Sequence, residues 1–251
     1  MVRGLDLFRQ FFAAHANQYV LIGGTAATLA MEDAGLAFRA TKDLDMVLHI
    51  EALDATFGET FWRFIDAGRY EIRQVSATGK PALYRFQKPA DERYPAMLEL
   101  FCRAPDRITL APGAHLTPIP VDEAVASLSA ILLDNDYYDF VISGRREVDG
   151  LPWVGEDRLI PLKAAAWLDL KERAARGEPV DARDIRKHAN DVLRLSQLLA
   201  PETRIQAAGK IVAVLRQFLD GILADGDINP GALGLKGTLA NLAERIWTAY
   251  I

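Results

Sequence analysis

Two stretches decide how the rest of the chain is read: Tyr19-Val20-Leu21-Ile22-Gly23-Gly24-Thr25-Ala26-Ala27, and Thr41-Lys42-Asp43-Leu44-Asp45-Met46-Val47-Leu48. In the first, four apolar residues stop at a glycine pair, which predicts a buried strand ending in a tight turn. The Ala-rich run from Thr25 to about Ala34 then predicts a helix closing at Gly35. Glycine has no Cβ, so backbone there can approach a phosphate closely, and a helix N-terminus aims free N–H groups at an anion. The same strand–Gly-Gly–helix pattern also arises wherever a chain simply has to turn. In the second stretch, residues i and i+2 of a strand face the same way, about 6–7 Å apart at Cα. Asp43 and Asp45 are therefore expected side by side, with Leu44 and Met46 turned to the core. Two carboxylates so placed suit hard divalent cations; the alternative is two solvated acids at the start of a strand, although acids are depleted in strands.

Working outward, Leu5, Phe8, Phe11 and Phe12 recur at helical spacing and predict an amphipathic helix over about 3–16. A helix is expected from Glu51 to Ala67, stopped by Gly68, and strands over about 70–75, 82–87 and 96–102. The last of these, Met97-Leu98-Glu99-Leu100-Phe101, carries one acid at its centre. A lone acid in an apolar strand is costly unless it is partnered or metal-bound, so Glu99 either completes a three-carboxylate cluster or points outward. The proline-rich segment 104–121 reads as irregular, and Asp122 as the cap of a helix to about Leu133. Tyr137–Ser143 and Arg146–Trp153 read as a strand or hairpin pair joined near Gly144. Pro161 is placed in the first turn of a helix reaching Arg176, and another helix is expected from Asp181 to Leu199.

The fold class expected is α+β: a mixed sheet flanked by helices over 1–156, then a helical domain over 157–251. The 251 residues, 50% hydrophobic and 25% charged, form an ordinary globular composition ample for a core. A net charge of −5 argues against a globally basic nucleic-acid-binding module. The charge is uneven, however. Residues 158–216 hold 12 basic and 7 acidic groups, net +5, whereas 1–150 hold 15 and 21, net −6, which suggests an anionic ligand held by the positive helical segment and the acidic mixed domain. Cys102 is the only cysteine, so an intramolecular disulfide is impossible and a reducing cytoplasm is expected. Gln10–Met31 lacks formal charge, but His15, Asn17, Gln18 and the glycine pair interrupt it, so it reads neither as a membrane span nor as a signal peptide. The four histidines show no metal spacing, no Walker A, HExxH or Gly-x-Ser-x-Gly motif occurs, and the four tryptophans read as packing residues.

In the helical half, Lys163 is read into the first turn of its helix, a poor place for a cation unless an anionic ligand compensates. On the helix after Asp181, Asp184, Lys187, His188 and Asp191 are expected on one face, with Ile185, Ala189, Val192 and Leu199 opposite. Lys187 is either a ligand contact or a plain ion-pair partner of Asp184 and Asp191.

Glycine pair, helix and an acid-x-acid on the next strand together resemble the nucleotidyltransferase superfamily, the fold of DNA polymerase beta. Leu21–Ala27 with Arg39–Asp45 looks most like the abortive-infection AbiEii type, the toxins of type IV toxin–antitoxin pairs. Lys163 and Asp191 look like that family's helix-opening lysine and later aspartate, although Lys187-His188 stands where the family often has a basic residue followed by Asp, leaving Asp184 as an alternative to Asp191. The resemblance implies transfer of a nucleoside monophosphate from an NTP to an acceptor hydroxyl of RNA, protein or a small molecule, with release of pyrophosphate and with a cognate antitoxin as partner. It implies Mg²⁺ or Mn²⁺ on Asp43, Asp45 and Glu99, and NTP contacts from Gly23, Gly24, Thr25, Arg39, Lys163 and Lys187. Asp191 then orients the base or ribose, or fixes Lys163. The competing readings are a small-molecule, aminoglycoside-like nucleotidyltransferase and a catalytically silent nucleotide-binding or regulatory protein.

Overall fold

The structure, a computed structural model, describes residues 2–72, 83–101, 131–132 and 134–250. The irregular segment read over 104–121, Cys102, and all but residues 131–132 of the helix read over 122–133 lie outside the described residues. The described residues divide into two compact units. One lies within Met1–Glu32, Ala37–Val121 and Arg145–Val154, the other within Asp33–Leu36, Asp122–Gly144 and Gly155–Ile251. The division is not a single cut at 156/157, because the segment ending at Gly144 groups with the later helices.

The first unit is α+β. Its seven-stranded mixed sheet runs in the order β3-β4-β5-β2-β1-β7-β6, from β1 (Tyr19–Ile22), β2 (Asp43–Leu48), β3 (Glu71–Ile72), β4 (Leu83–Gln87), β5 (Met97–Phe101), β6 (Arg145–Val148) and β7 (Leu151–Val154). Helices α1 (Leu5–Phe12), α2 (Gly23–Asp33) and α3 (Ala55–Gly68) accompany it. β1 pairs antiparallel with β2, and β2 parallel with β5.

Register sorts the side chains. Tyr19, Leu21, Leu44, Met46, Leu48, Leu98, Leu100 and Phe86 occupy paired positions on one face. That face meets an aromatic cluster from α1 and α3: Phe8 lies 5.5 Å edge-on to Tyr19, Phe12 stacks on Phe8 at 4.4 Å, and Phe61 lies 5.2 Å from Phe86. Phe57, Phe61 and Phe64 are fully buried, each contributing about 1.5–3 kcal/mol of apolar transfer. Within the cluster His15 sits between Gln18 Oε1 (3.0 Å) and Thr60 Oγ1 (3.1 Å), which satisfies both ring nitrogens.

The strand pair expected across Gly144 does not form; the hairpin present lies within 145–154 instead. β6 and β7 join at Asp149-Gly150, both at positive φ (51° and 77°), the Asp-Gly conformation that tight hairpins favour. Residues 137–143, read as a strand, are instead part of α4 (Asn135–Ser143) in the second unit. Tyr137, Tyr138, Phe140 and Val141 are all buried and stand at i, i+1, i+3 and i+4, a helical stripe that aromatic strand propensity masks. Asp134 caps the helix by accepting from the Asp136 N–H at 3.1 Å.

The second unit adds α5 (Glu156–Ala175), α6 (Ala182–Leu195), α7 (Gly209–Ala224) and α8 (Leu239–Ala249). α5 is the core helix, with Leu159, Ile160, Leu162, Ala164, Trp167 and Leu170 buried. It starts earlier than expected, at Glu156 with Asp157 beside it in the first turn, a favourable place for acids. Pro161 is thus an interior residue rather than a first-turn one, and Lys163 lies deeper still. Proline has no N–H for the carbonyl four residues back, here that of Asp157. The Tyr250 hydroxyl fills the gap, donating to the Asp157 carbonyl at 2.8 Å. Burial holds the pKa of that phenol well above its ordinary value, keeping it a donor. Packing below is close: Trp167 meets Phe218 edge-on at 5.3 Å, and a Cβ on Gly221 would come within 2.8 Å of the Trp167 ring. Among the described residues no helix is long and apolar enough to cross a membrane.

Candidate functional site

The sheet face opposite the aromatic cluster carries the acids. Asp43 and Asp45 lie on the same side of β2 and are half-buried, while Leu44 and Met46 are fully buried on the other side. Asp45 stands in register with Ile22 of β1 and Glu99 of β5. It also lies directly over Gly23, where a Cβ would fall 1.9 Å from Asp45 Oδ2. Gly23 is at φ 66°, which a residue with a Cβ adopts only at a cost. The glycine pair does not form a loop ahead of the helix, as the sequence suggests, but its first two residues. Gly23 therefore serves two local needs: it turns the chain from β1 into α2, and it leaves room for the Asp45 carboxylate.

Gly24 is crowded on its other side. A Cβ there would meet Thr41 Oγ1 at 2.6 Å and Arg39 Nη2 at 3.6 Å, so the Arg39 guanidinium and the Thr41 hydroxyl lie over the opening turn of α2. The Thr25 side chain is fully buried, and its hydroxyl donates to the Asp43 carbonyl at 2.7 Å. It ties α2 to the start of β2, which fixes Asp43 relative to the helix.

Glu99 is buried at 5% exposure and does not point outward to solvent. Its Oε1 accepts from Arg85 Nε at 2.8 Å. Burial, together with the neighbouring Asp45 charge and a hydrogen bond between the two carboxyls, holds the pKa of Glu99 well above the ordinary carboxylate range; Arg85 pulls the other way and is outweighed. Arg85 is the residue that sequence reading missed. A basic residue at the centre of one strand and an acid at the centre of the next was the available signal, but only the antiparallel register of β4 and β5 places them opposite each other.

The site residues expected in the helical half lie in the second unit. Lys163 and Asp191 meet there, Nζ to Oδ2 at 2.8 Å, with the lysine 6% exposed and the aspartate fully buried. Asp191 is thus not on an exposed polar face shared with Lys187, because α5 packs on α6 and Lys163 reaches it from there. Lys187 is exposed, and Asp184 and His188 are half-buried. Of the two candidate acids, Asp191 is the one joined to Lys163.

Among the described residues, no group of three or more His, Cys, Asp and Glu side chains is gathered as a metal cage. Asp43 and Asp45 nevertheless fit a hard divalent cation by donor type and by their common face, while Glu99 is bound to Arg85. No protein-family model and no curated protein matches the chain, so the functional reading of the site rests on its residues and their geometry.

Proposed function

We propose that the acid-bearing sheet face is the catalytic face of a Mg²⁺-dependent nucleotidyltransferase, which moves a nucleoside monophosphate from an NTP to an acceptor hydroxyl and releases pyrophosphate. The observation that carries this reading is the Asp45 carboxylate seated over Gly23 at the first residue of α2, with Asp43 on the same face. Asp43 and Asp45 would hold Mg²⁺ or Mn²⁺. The cation, when bound, supplies charge neutralisation at the phosphoryl group and a lowered pKa for the attacking hydroxyl. The chain's own part is positioning. The opening turn of α2 would direct backbone N–H groups at a phosphate, and Arg39, held over Gly24, would pair with the same anion. Thr25 would keep Asp43 at a fixed distance from that turn through its bond to the Asp43 carbonyl.

The acceptor proposed is RNA, the polyanion for which the net +5 of residues 158–216 is suited, and the biological setting proposed is that of a toxin with a cognate antitoxin. The test is incubation with each labelled NTP, Mg²⁺ and total RNA or cell extract, using the native chain and Asp45→Asn. Labelled product, reduced about a hundredfold or more in the variant, is expected. Full turnover by a well-folded Asp45→Asn protein would overturn the assignment.

A further inference from the structure

Three strands lay one row of charged side chains across the acid face. In register, Asp45 on β2 stands beside Glu99 on β5, and Glu99 stands beside Arg85 on β4. Both ladders pin the backbones, so the Arg85–Glu99 contact is set by strand pairing rather than by two long side chains meeting in solvent. The pair is well sheltered, with side-chain exposures of 14% for Arg85 and 7% for Glu99. One step along the β2–β5 ladder, Asp43 faces Met97, not another acid.

We propose that Arg85 is a built-in cation that withholds Glu99 from the divalent-cation site, so that the metal is held by Asp43 and Asp45 and Glu99 remains bound to the guanidinium. This rests on the nucleotidyltransferase reading and deepens it: Arg85 becomes a positioning residue that sets how many carboxylates the cation meets. Two things support it. The Nε–H of Arg85 already donates to Glu99 Oε1 at 2.8 Å. A fixed positive charge beside Glu99 also repels an incoming divalent ion at short range, an effect that sheltering from water strengthens.

The test measures Mn²⁺ binding by calorimetry and by the loss of free-Mn²⁺ paramagnetic resonance signal, at pH 8 and without nucleotide. It compares the native chain with Arg85→Gln, the double variant Arg85→Gln/Glu99→Gln, and Asp45→Asn. The double variant removes both charges of the pair and leaves two amides able to hydrogen-bond, so it stays foldable even if Arg85→Gln alone does not. Expected is a double variant whose Kd for Mn²⁺ stays within threefold of the native value, and an Arg85→Gln protein that binds at least tenfold more tightly because Glu99 is released to the ion. A double variant weakened by more than threefold makes Glu99 a ligand in the native chain and overturns the proposal, as does Arg85→Gln binding no tighter than native. Asp45→Asn separates this failure from that of the underlying reading. If it binds Mn²⁺ as the native chain does, the carboxylate site itself is wrong; if it loses Mn²⁺ while the other arms disagree with expectation, only the role of Arg85 falls.

Discussion

The two units bury charge in opposite ways. In the helical unit Lys163 and Asp191 form a matched pair at 2.8 Å, one cation and one anion, each with little or no exposure. In the sheet unit, Asp45 and Glu99 stand side by side, with Arg85 bound to Glu99 and Asp43 on the same face. A matched pair is complete in itself and accounts for its own presence as a packing device, although its desolvation makes it a weak source of net stability. A surplus of acid is incomplete and is relieved by a proton or a metal ion. The place where the chain tolerates electrostatic discomfort is the better candidate for chemistry.

The comparison can be broken most sharply at Lys163. Lys163→Ala leaves Asp191 buried without its cation and is expected to cost about 3–5 kcal/mol, read as a lowered urea midpoint, while Lys163→Met/Asp191→Leu recovers most of the loss. A Lys163→Ala protein as stable as the native one would mean that the pair is not the structural device described. Next in size is Gly23→Ala, which places a methyl group against Asp45 Oδ2 and forces a left-handed backbone on alanine. A loss of about 1–3 kcal/mol is expected, together with weaker Mn²⁺ binding in a titration. Asp45→Asn should act in the opposite direction. Above about pH 8, where Glu99 has given up its proton, and without divalent cations, it removes a like charge from beside Glu99, and a gain of up to about 1 kcal/mol in the urea melt is expected; a loss of that size would show that the acids are not in conflict.

The smallest effect concerns an exposed carboxylate. Asp54 caps α3 by accepting from the Phe57 N–H, and its bond with Thr56 together with this one lowers its pKa from 3.8 to about 2. A depressed acid stabilises the fold above its unfolded pKa and loses that contribution as pH falls through the folded value. The melting-temperature difference between native and Asp54→Ala proteins should therefore be constant above about pH 5 and shrink toward pH 2. For Glu99 the sign reverses. Its raised pKa means that the folded state keeps a proton which the unfolded state gives up, so its contribution falls as pH rises past the ordinary carboxylate range.

Much of this was readable from residue order. The alternation at 43–48 put both aspartates on one face, and the Phe8/Phe12 spacing gave the helix whose rings meet Tyr19 on the other face of the sheet, because period and burial are local properties. The exceptions were set by tertiary partners. Tyr137–Val141 has strand-like composition, yet its helical stripe prevailed once Asp134 capped it and the aromatic residues were buried. Pro161 looked like a helix opener because nothing nearby in sequence shows that Tyr250 can occupy the carbonyl it leaves open. Asp191 looked exposed because its cation comes from another helix, and Arg85 was invisible because its meaning depends on a register between strands.

The Tyr250–Asp157 bond also bears on how the helical unit is completed. It spans 93 residues, from the first turn of the core helix to the end of the last described one. Until position 250 has joined the fold, the Asp157 carbonyl that Pro161 leaves open has only water to accept from, so the first turns of the core helix gain their last protein partner from the far end of the unit.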